Sequence, residues 1–312
     1  MPLAPDTEGI HPIANTAKKD RAADIVFVHG LTGASHSTWK HEDGFFWPME
    51  LGKVRPDFGI WSVGYPAGLT SLGERGMSIE KRGGNVANQL TLKGIGQRPV
   101  VFITHSMGGL VVKSLIVDSL ATKDLRHIQL VESVCGIVFC GTPHRGADIA
   151  AAGVVLQRYF ATGLAALLTG RLGWLLGGFL SSRLGLQHHV QQMATNAEPL
   201  DHLHDKFLAW QQNRAVLVES YAEHRPLWKG PVPLGVVVKR GSANPGIGLP
   251  PYDVDADHLS LVKPPTPPHV IHDIVFGGVR RFIDDALRPP SPFHKPTVLA
   301  LAKWMLEHLS TP

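Results

Sequence analysis

Apolar residues in this chain follow two alternating patterns. Runs at residues 25–28, 58–67, 100–104 and 133–140 are short and mostly apolar, as strands buried on both faces of a sheet are, and two more stretches with apolar starts follow at 215–223 and 233–243. Between them apolar positions recur at helical spacing. This is the case at residues 78–90, from Leu110 through Val111, Leu115 and Ile116 to about residue 120, and at 199–212, where Leu200, Leu203, Phe207 and Leu208 share a face. Residues 269–287 repeat it with Ile271, Ile274, Val275, Phe282 and Ile283. Such alternation predicts an α/β fold: a mostly parallel, doubly wound sheet with right-handed crossovers. A short edge strand is expected around residues 10–13. Gly83 and Gly84 should weaken the helix at 78–90 by roughly 1 kcal/mol each relative to alanine. Trp39, Phe45, Phe46 and Trp47 fall in an aromatic-rich loop and are expected to serve packing.

Residues 147–187 break the alternation, being the most hydrophobic part of the chain and rich in Leu, Ala and Gly. Arg158, Arg171 and Arg183 interrupt each apolar run before it reaches the roughly 18 to 20 residues a membrane span needs. The segment therefore reads as a helical cap inserted at about 147–195, with peripheral membrane contact through its apolar face as a candidate role. Residues 1–290 are expected to form one domain, followed at 291–312 by a linker and a short amphipathic helix (297–309) that docks on the core or on a partner.

Composition narrows the class. The formal charge is only +4, with no Lys/Arg run interleaved with aromatics, so nucleic acid is not the indicated partner. Cys135 and Cys140 lie five apart on one expected strand, which would point them to opposite faces and forbid a disulfide. With no signal-peptide pattern in the first twenty residues, the expectation is a cytoplasmic protein, membrane-associated where the cap touches lipid.

The chemistry begins at "VVFITHSMGGL", where an apolar strand ends at Ser106 and a helix follows. In a G-x-S-x-G elbow the sharp turn strains the serine, lifts its hydroxyl off the sheet and demands small neighbours. Thr104, His105, Ser106, Met107 and Gly108 fit that pattern, with Thr104 in place of the first glycine. Serine is a weak nucleophile until an imidazole accepts its proton, and the imidazole needs a carboxylate to fix its tautomer. In chain order Ser106, Glu223 and His258 each follow an expected strand. Glu219, Asp253, Asp255 and Asp257 compete for the acid, but Glu219 lies within its strand and Asp257 adjoins the histidine. Earlier, "DIVFVHGLTG" ends a strand in a tight loop at His29 and Gly30, so the amides of Leu31 and Met107 are the expected oxyanion hole.

The stretches "DIVFVHGLTG", "FITHSMGGLVVKSLI", "GIVFCGTPHRGAD" and "ADHLSLVKP" resemble the serine-active-site-containing, lipase-like branch of the α/β-hydrolase superfamily, related to GPI inositol-deacylase-like proteins. The resemblance spans most of residues 24–264. It implies an α/β-hydrolase fold and ester hydrolysis, with Ser106 as nucleophile, His258 as the "DH" histidine and Glu223 as the acid of Ser220-Tyr221-Ala222-Glu223. His144 in "GTPHRG" matches a family turn and, with His29, Gly30 and His105, is expected to be structural or site-lining. The histidine pairs at 188/189, 202/204 and 269/272 lack partners at ligand spacing, and no phosphate-binding glycine motif follows a strand, so neither metal nor cofactor is expected. The expected activity is cleavage of carboxylic esters with an apolar acyl group by a serine esterase or lipase. The alternatives are acyl transfer by the same triad and a non-catalytic interaction module that keeps the fold.

Overall fold

A computed structural model of the chain describes residues 6–67, 79–169, 197–212 and 214–288. Strands β1 (Gly9–Ala14), β2 (Ala23–Val28), β3 (Phe58–Gly64), β4 (Val100–His105), β5 (Val134–Cys140) and β6 (Leu217–Glu223) alternate with helices α1 (Trp47–Val54), α2 (Ile79–Leu92), α3 (Gly108–Ala121), α4 (Leu125–Glu132), α5 (Gly146–Thr169) and α6 (Ala197–Gln212). A hairpin of β7 (Leu227–Lys229) and β8 (Val232–Gly235) stands apart from the main sheet, which is completed by β9 (Tyr252–Val254). A π-helical turn, His272–Gly277, leads into the closing helix α7 (Gly278–Ala286).

The main sheet runs β1-β3-β2-β4-β5-β6-β9, and only β1 is antiparallel to its neighbour. Every residue of β2, β3 and β4 is buried, which is why those strands read as continuous apolar runs. Two packed layers flank the sheet. On one face Val26, Phe102, Leu110, Leu115, Phe139 and Phe207 join α2, α3 and α6 to the strands. On the other, Phe27, Trp39, Trp47, Ile103, Phe276 and Phe282 form an aromatic layer under α1 and α7. Trp39, Phe46 and Trp47 are buried in that layer as expected, though Trp47 opens a helix rather than lying in a loop. With β4 central, parallel neighbours on both sides and a strand-turn-helix at its carboxyl end, this is the α/β-hydrolase fold.

Four expectations change. The run at 233–243 is not a sheet strand: residues 232–235 pair in the small hairpin, and Val237 and Val238 turn into the core. The last sheet strand is the three-residue β9, flanked by Pro251 and too short to leave a pattern in the sequence. Gly83 in α2 is a packing requirement as well as a helix cost, because a Cβ there would strike Ser114 and come 2.5 Å from the Leu115 amide of α3. Finally, the register slips where Cys135 bulges out of β5, so Cys135 packs against the same layer as Cys140 rather than the opposite one; both thiols are free.

Of the expected cap, α5 is described to Thr169, with Ile149, Ala152 and Leu156 buried against the core. Residues 170–196 lie outside the described part, as do the linker and helix expected at 291–312. Among the described residues no helix is long and apolar enough to cross a membrane.

Candidate active site

Ser106 sits between β4 and α3 with φ +52°, a left-handed conformation costing about 1–3 kcal/mol for a side chain other than glycine. The surroundings hold it there. Its amide donates to the Cys140 carbonyl at 2.9 Å, and its own carbonyl accepts the Thr142 hydroxyl at 3.0 Å and the Gly109 amide at 3.1 Å. The turn also requires small residues on the neighbouring loop. A Cβ on Gly30 would lie 2.6 Å from the Ser106 Cβ, and one on Gly108 would meet the Val28 carbonyl and come 2.5 Å from that of His29. Thr104 is accommodated because it points away from the turn, its hydroxyl donating to the Val138 carbonyl at 2.8 Å.

The fold brings Ser106, His258 and Glu223 together although they are separated by 152 and 35 residues. His258 Nε2 is 3.0 Å from the Ser106 hydroxyl oxygen, and its Nδ1 is 3.1 and 3.2 Å from the two carboxylate oxygens of Glu223. All three residues are buried. A carboxylate can only accept, so Nδ1 carries the proton and Nε2 is left as the acceptor facing the serine hydroxyl. The backbone amide of Val238 donates to the same carboxylate at 2.6 Å.

The competing acids are engaged elsewhere. Asp255 and Asp253 are exposed and pair with Arg225 and Arg240. Asp257 accepts the amides of Leu259 and Ser260, shaping the turn that carries His258. Glu219 accepts the Tyr221 hydroxyl on the aromatic layer.

The amides of Leu31 and Met107 donate to no other described residue. After Leu31 the next two amides are engaged, Thr32 donating to the Ala67 carbonyl at 2.6 Å and Gly33 to that of Gly30 at 3.1 Å. Two free amides beside a strained serine are what a developing oxyanion requires. His29 is fully buried and stacks on Tyr65; its Nδ1–H donates to the Gly30 carbonyl at 2.9 Å, which braces this loop from beneath. Burial lowers its pKa to about 4, so the ring is neutral.

His105 lies directly under His258, Nε2 at 2.9 Å from the His258 carbonyl. The structure places His144 in a different group: its Nδ1 accepts from Lys113 at 2.7 Å, and the same lysine donates to His204 Nδ1 at 2.8 Å. No trio of His, Cys, Asp or Glu is grouped to hold a metal ion among the described residues.

Sequence reasoning missed the Val238 amide, Thr142 and Lys113. Thr142 was visible in "CGTPHRG", but a backbone donor from a loop leaves no side-chain signal, and Lys113 reads as an ordinary polar position of α3.

No family model matches the chain. It is similar to Protein SERAC1 of Danio rerio, at 28% identity over 301 residues, 89% of this chain and 41% of that protein. To the Homo sapiens SERAC1 it is 28% identical over 277 residues, covering 82% of this chain and 38% of the other. The chain thus spans about two-fifths of the length of the curated relatives it matches. Among solved structures, the esterase RhEst1 from Rhodococcus sp. ECU1013 aligns with a TM-score of 0.49 at 14% identity over 89% of this chain and 94% of that one. The propeptide form of the Bacillus licheniformis lipase BlEst2 gives 0.48 at 18% identity, covering 87% and 52%.

Proposed function

We propose that this chain is a serine hydrolase that cleaves acyl esters through an acyl-enzyme on Ser106. The observation that carries the reading is the hydrogen-bonded line Ser106 Oγ to His258 Nε2, and His258 Nδ1 to Glu223, at 3.0 and 3.1 Å. His258 takes the hydroxyl proton as Ser106 attacks the carbonyl carbon, and Glu223 stabilises the resulting imidazolium. The amides of Leu31 and Met107 receive the negative charge on the carbonyl oxygen. Collapse of the tetrahedral intermediate expels the alcohol, protonated by His258. Water, activated by the same histidine, then releases the acid. The apolar composition of residues 147–187 supports an apolar acyl group.

A fluorophosphonate probe tests the reading, since it phosphonylates only an activated serine. Wild type should label at Ser106 and Ser106→Ala should not; absence of label on folded wild type overturns the proposal. Turnover across a series of p-nitrophenyl esters checks the acyl preference, which should rise from acetate to longer chains.

A further inference from the structure

We infer that His105 is a positioning residue for the catalytic histidine: its Nε2–H ties the backbone of the His258 loop to the strand that ends in the nucleophile. This rests on the serine-hydrolase reading.

Side chains alternate along β4, so Val101 and Ile103 enter the aromatic layer and His105 follows them on the same face. The loop carrying His258 crosses that face, anchored beyond the histidine by buried Leu261 and Val262 and by the Trp47 indole N–H, which donates to the Val262 carbonyl at 2.9 Å. Inside the loop the Asp257 carboxylate accepts the Leu259 and Ser260 amides, both at 2.9 Å, and the Leu261 amide donates to the Asp257 carbonyl at 2.9 Å. Those bonds set the shape of the turn, and the backbone before it is held where the amides of His224 and Arg225 donate to the Ala256 carbonyl at 3.1 and 2.9 Å. Between these anchors His105 ties down the histidine itself, with Nε2 at 2.9 Å from the His258 carbonyl and its ring 4.8 Å from the His258 ring at a tilt of 41°.

A carbonyl only accepts, so Nε2 of His105 holds the proton and Nδ1 holds a lone pair. That Nδ1 is buried and meets no donor among the described residues. An unmet buried acceptor is destabilising, and an apolar side chain would fill this space without that cost. The donor is therefore what a histidine adds here. Burial, and next the proximity of His258, hold the His105 pKa well below its ordinary value. The ring thus stays neutral and adds no second positive charge when His258 becomes an imidazolium.

The test compares His105→Phe and His105→Leu, which keep the apolar contact without the donor, with His105→Gln, whose amide N–H reaches the same carbonyl. Phe and Leu should slow phosphonylation of Ser106 and lower kcat by about 10–100-fold with KM within about twofold, as a loosened general base does. Their thermal midpoints should stay close to that of wild type, because the unmet Nδ1 is gone while the His258 carbonyl loses its donor. Gln should recover most of the rate. Equal rates in wild type and the two apolar variants, or a Gln variant no faster than they are, overturn the inference. A readout free of activity keeps the two proposals apart. The downfield Nδ1–H resonance of His258 should be lost or shifted in the Phe and Leu variants and retained in Gln, even if wild type proves inert to the probe. An unchanged resonance in all of them sinks the positioning role on its own.

Discussion

Glu223 accepts the backbone amide of Val238 at 2.6 Å while it faces Nδ1 of His258. The carboxylate is thereby fixed from two sides, with the stronger geometry on the loop side. A glutamine cannot satisfy both. Its single carbonyl would stay on the Val238 amide, leaving an NH2 group against His258 that stabilises the wrong imidazole tautomer, with a proton on Nε2 pointing at Ser106. Glu223→Gln should therefore lower kcat by about 10³–10⁴-fold with little change in KM, the scale seen when a triad acid is amidated. Asp255→Asn, which alters an exposed pair with Arg225, should stay within about twofold of wild type. Steady-state kinetics on one ester separates the two, and the reverse ranking would reassign the acid.

The loop carrying Leu31 gives a second expectation. A methyl group on residue 30 would sit 2.6 Å from the Ser106 Cβ and 2.9 Å from the His105 carbonyl, so Gly30→Ala must push the Leu31 amide away from the nucleophile. We expect about a 100-fold loss of kcat and a loss of about 1–3 kcal/mol of stability, measured by esterase assay and urea unfolding. Normal kinetics in this variant would show that the loop carrying Leu31 does not hold the oxyanion.

These residues also show where the sequence was readable. Strands β2, β3, β4 and β5 were legible because burial on both faces makes each an unbroken apolar run, and α3 because its apolar positions keep helical spacing. Ser106 and Glu223 were legible because each ends or follows a strand that the sequence shows, and His258 because of its place in the chain before the closing helix, although the strand it follows is β9 and not the run at 233–243. The stretch at 233–243 misled for a physical reason. Val237 and Val238 are β-branched and buried like strand residues, yet the amide of Val238 serves Glu223 instead of a ladder. Conversely, β9 is three residues long with two of them exposed, so it carries no alternation to detect. His105 was visible only as part of a motif; that its imidazole reaches the His258 carbonyl, 153 positions later, depends on packing across the sheet.

Thr104 tests whether the elbow's first position matters for chemistry or for stability. It is fully buried, and its hydroxyl donates to the Val138 carbonyl at 2.8 Å in the neighbouring strand. Thr104→Gly removes that bond and adds backbone freedom to a central strand, each worth about 1 kcal/mol. The variant should lose about 2 kcal/mol in urea unfolding and keep kcat within about threefold. A large gain in kcat would mean that threonine restrains the nucleophile.

The last expectation concerns Lys113, buried in α3 with Nζ 2.7 Å from His144 Nδ1, 2.8 Å from His204 Nδ1, and over the rings of Phe139 and Phe207. Burial, and then Arg145, hold its pKa well below the ordinary lysine value of 10.5. The surrounding charges do not offset this: Asp205 pairs with Arg145 at 3.2 Å, and Asp201 accepts the Gly146 amide at 3.0 Å. A neutral amine has two N–H bonds, one for each imidazole acceptor. Between its lowered pKa and 10.5 the unfolded lysine is protonated and the folded one is not. The unfolded state then binds more protons, so stability rises with pH across that interval. The buried histidines act with the same sign at lower pH. His29 and His204, both lowered to about 4 by burial, are neutral in the fold, so stability should be lost as pH falls from about 6.5 toward 4. Lys113→Met isolates the alkaline arm. Wild type should gain urea resistance from pH 7 to 10 through this group, whereas the methionine variant, which also leaves the Nδ1 acceptors of His144 and His204 without the amine, should show a flatter profile. Parallel profiles for the two proteins between pH 7 and 10 would mean that Lys113 keeps its proton inside the fold.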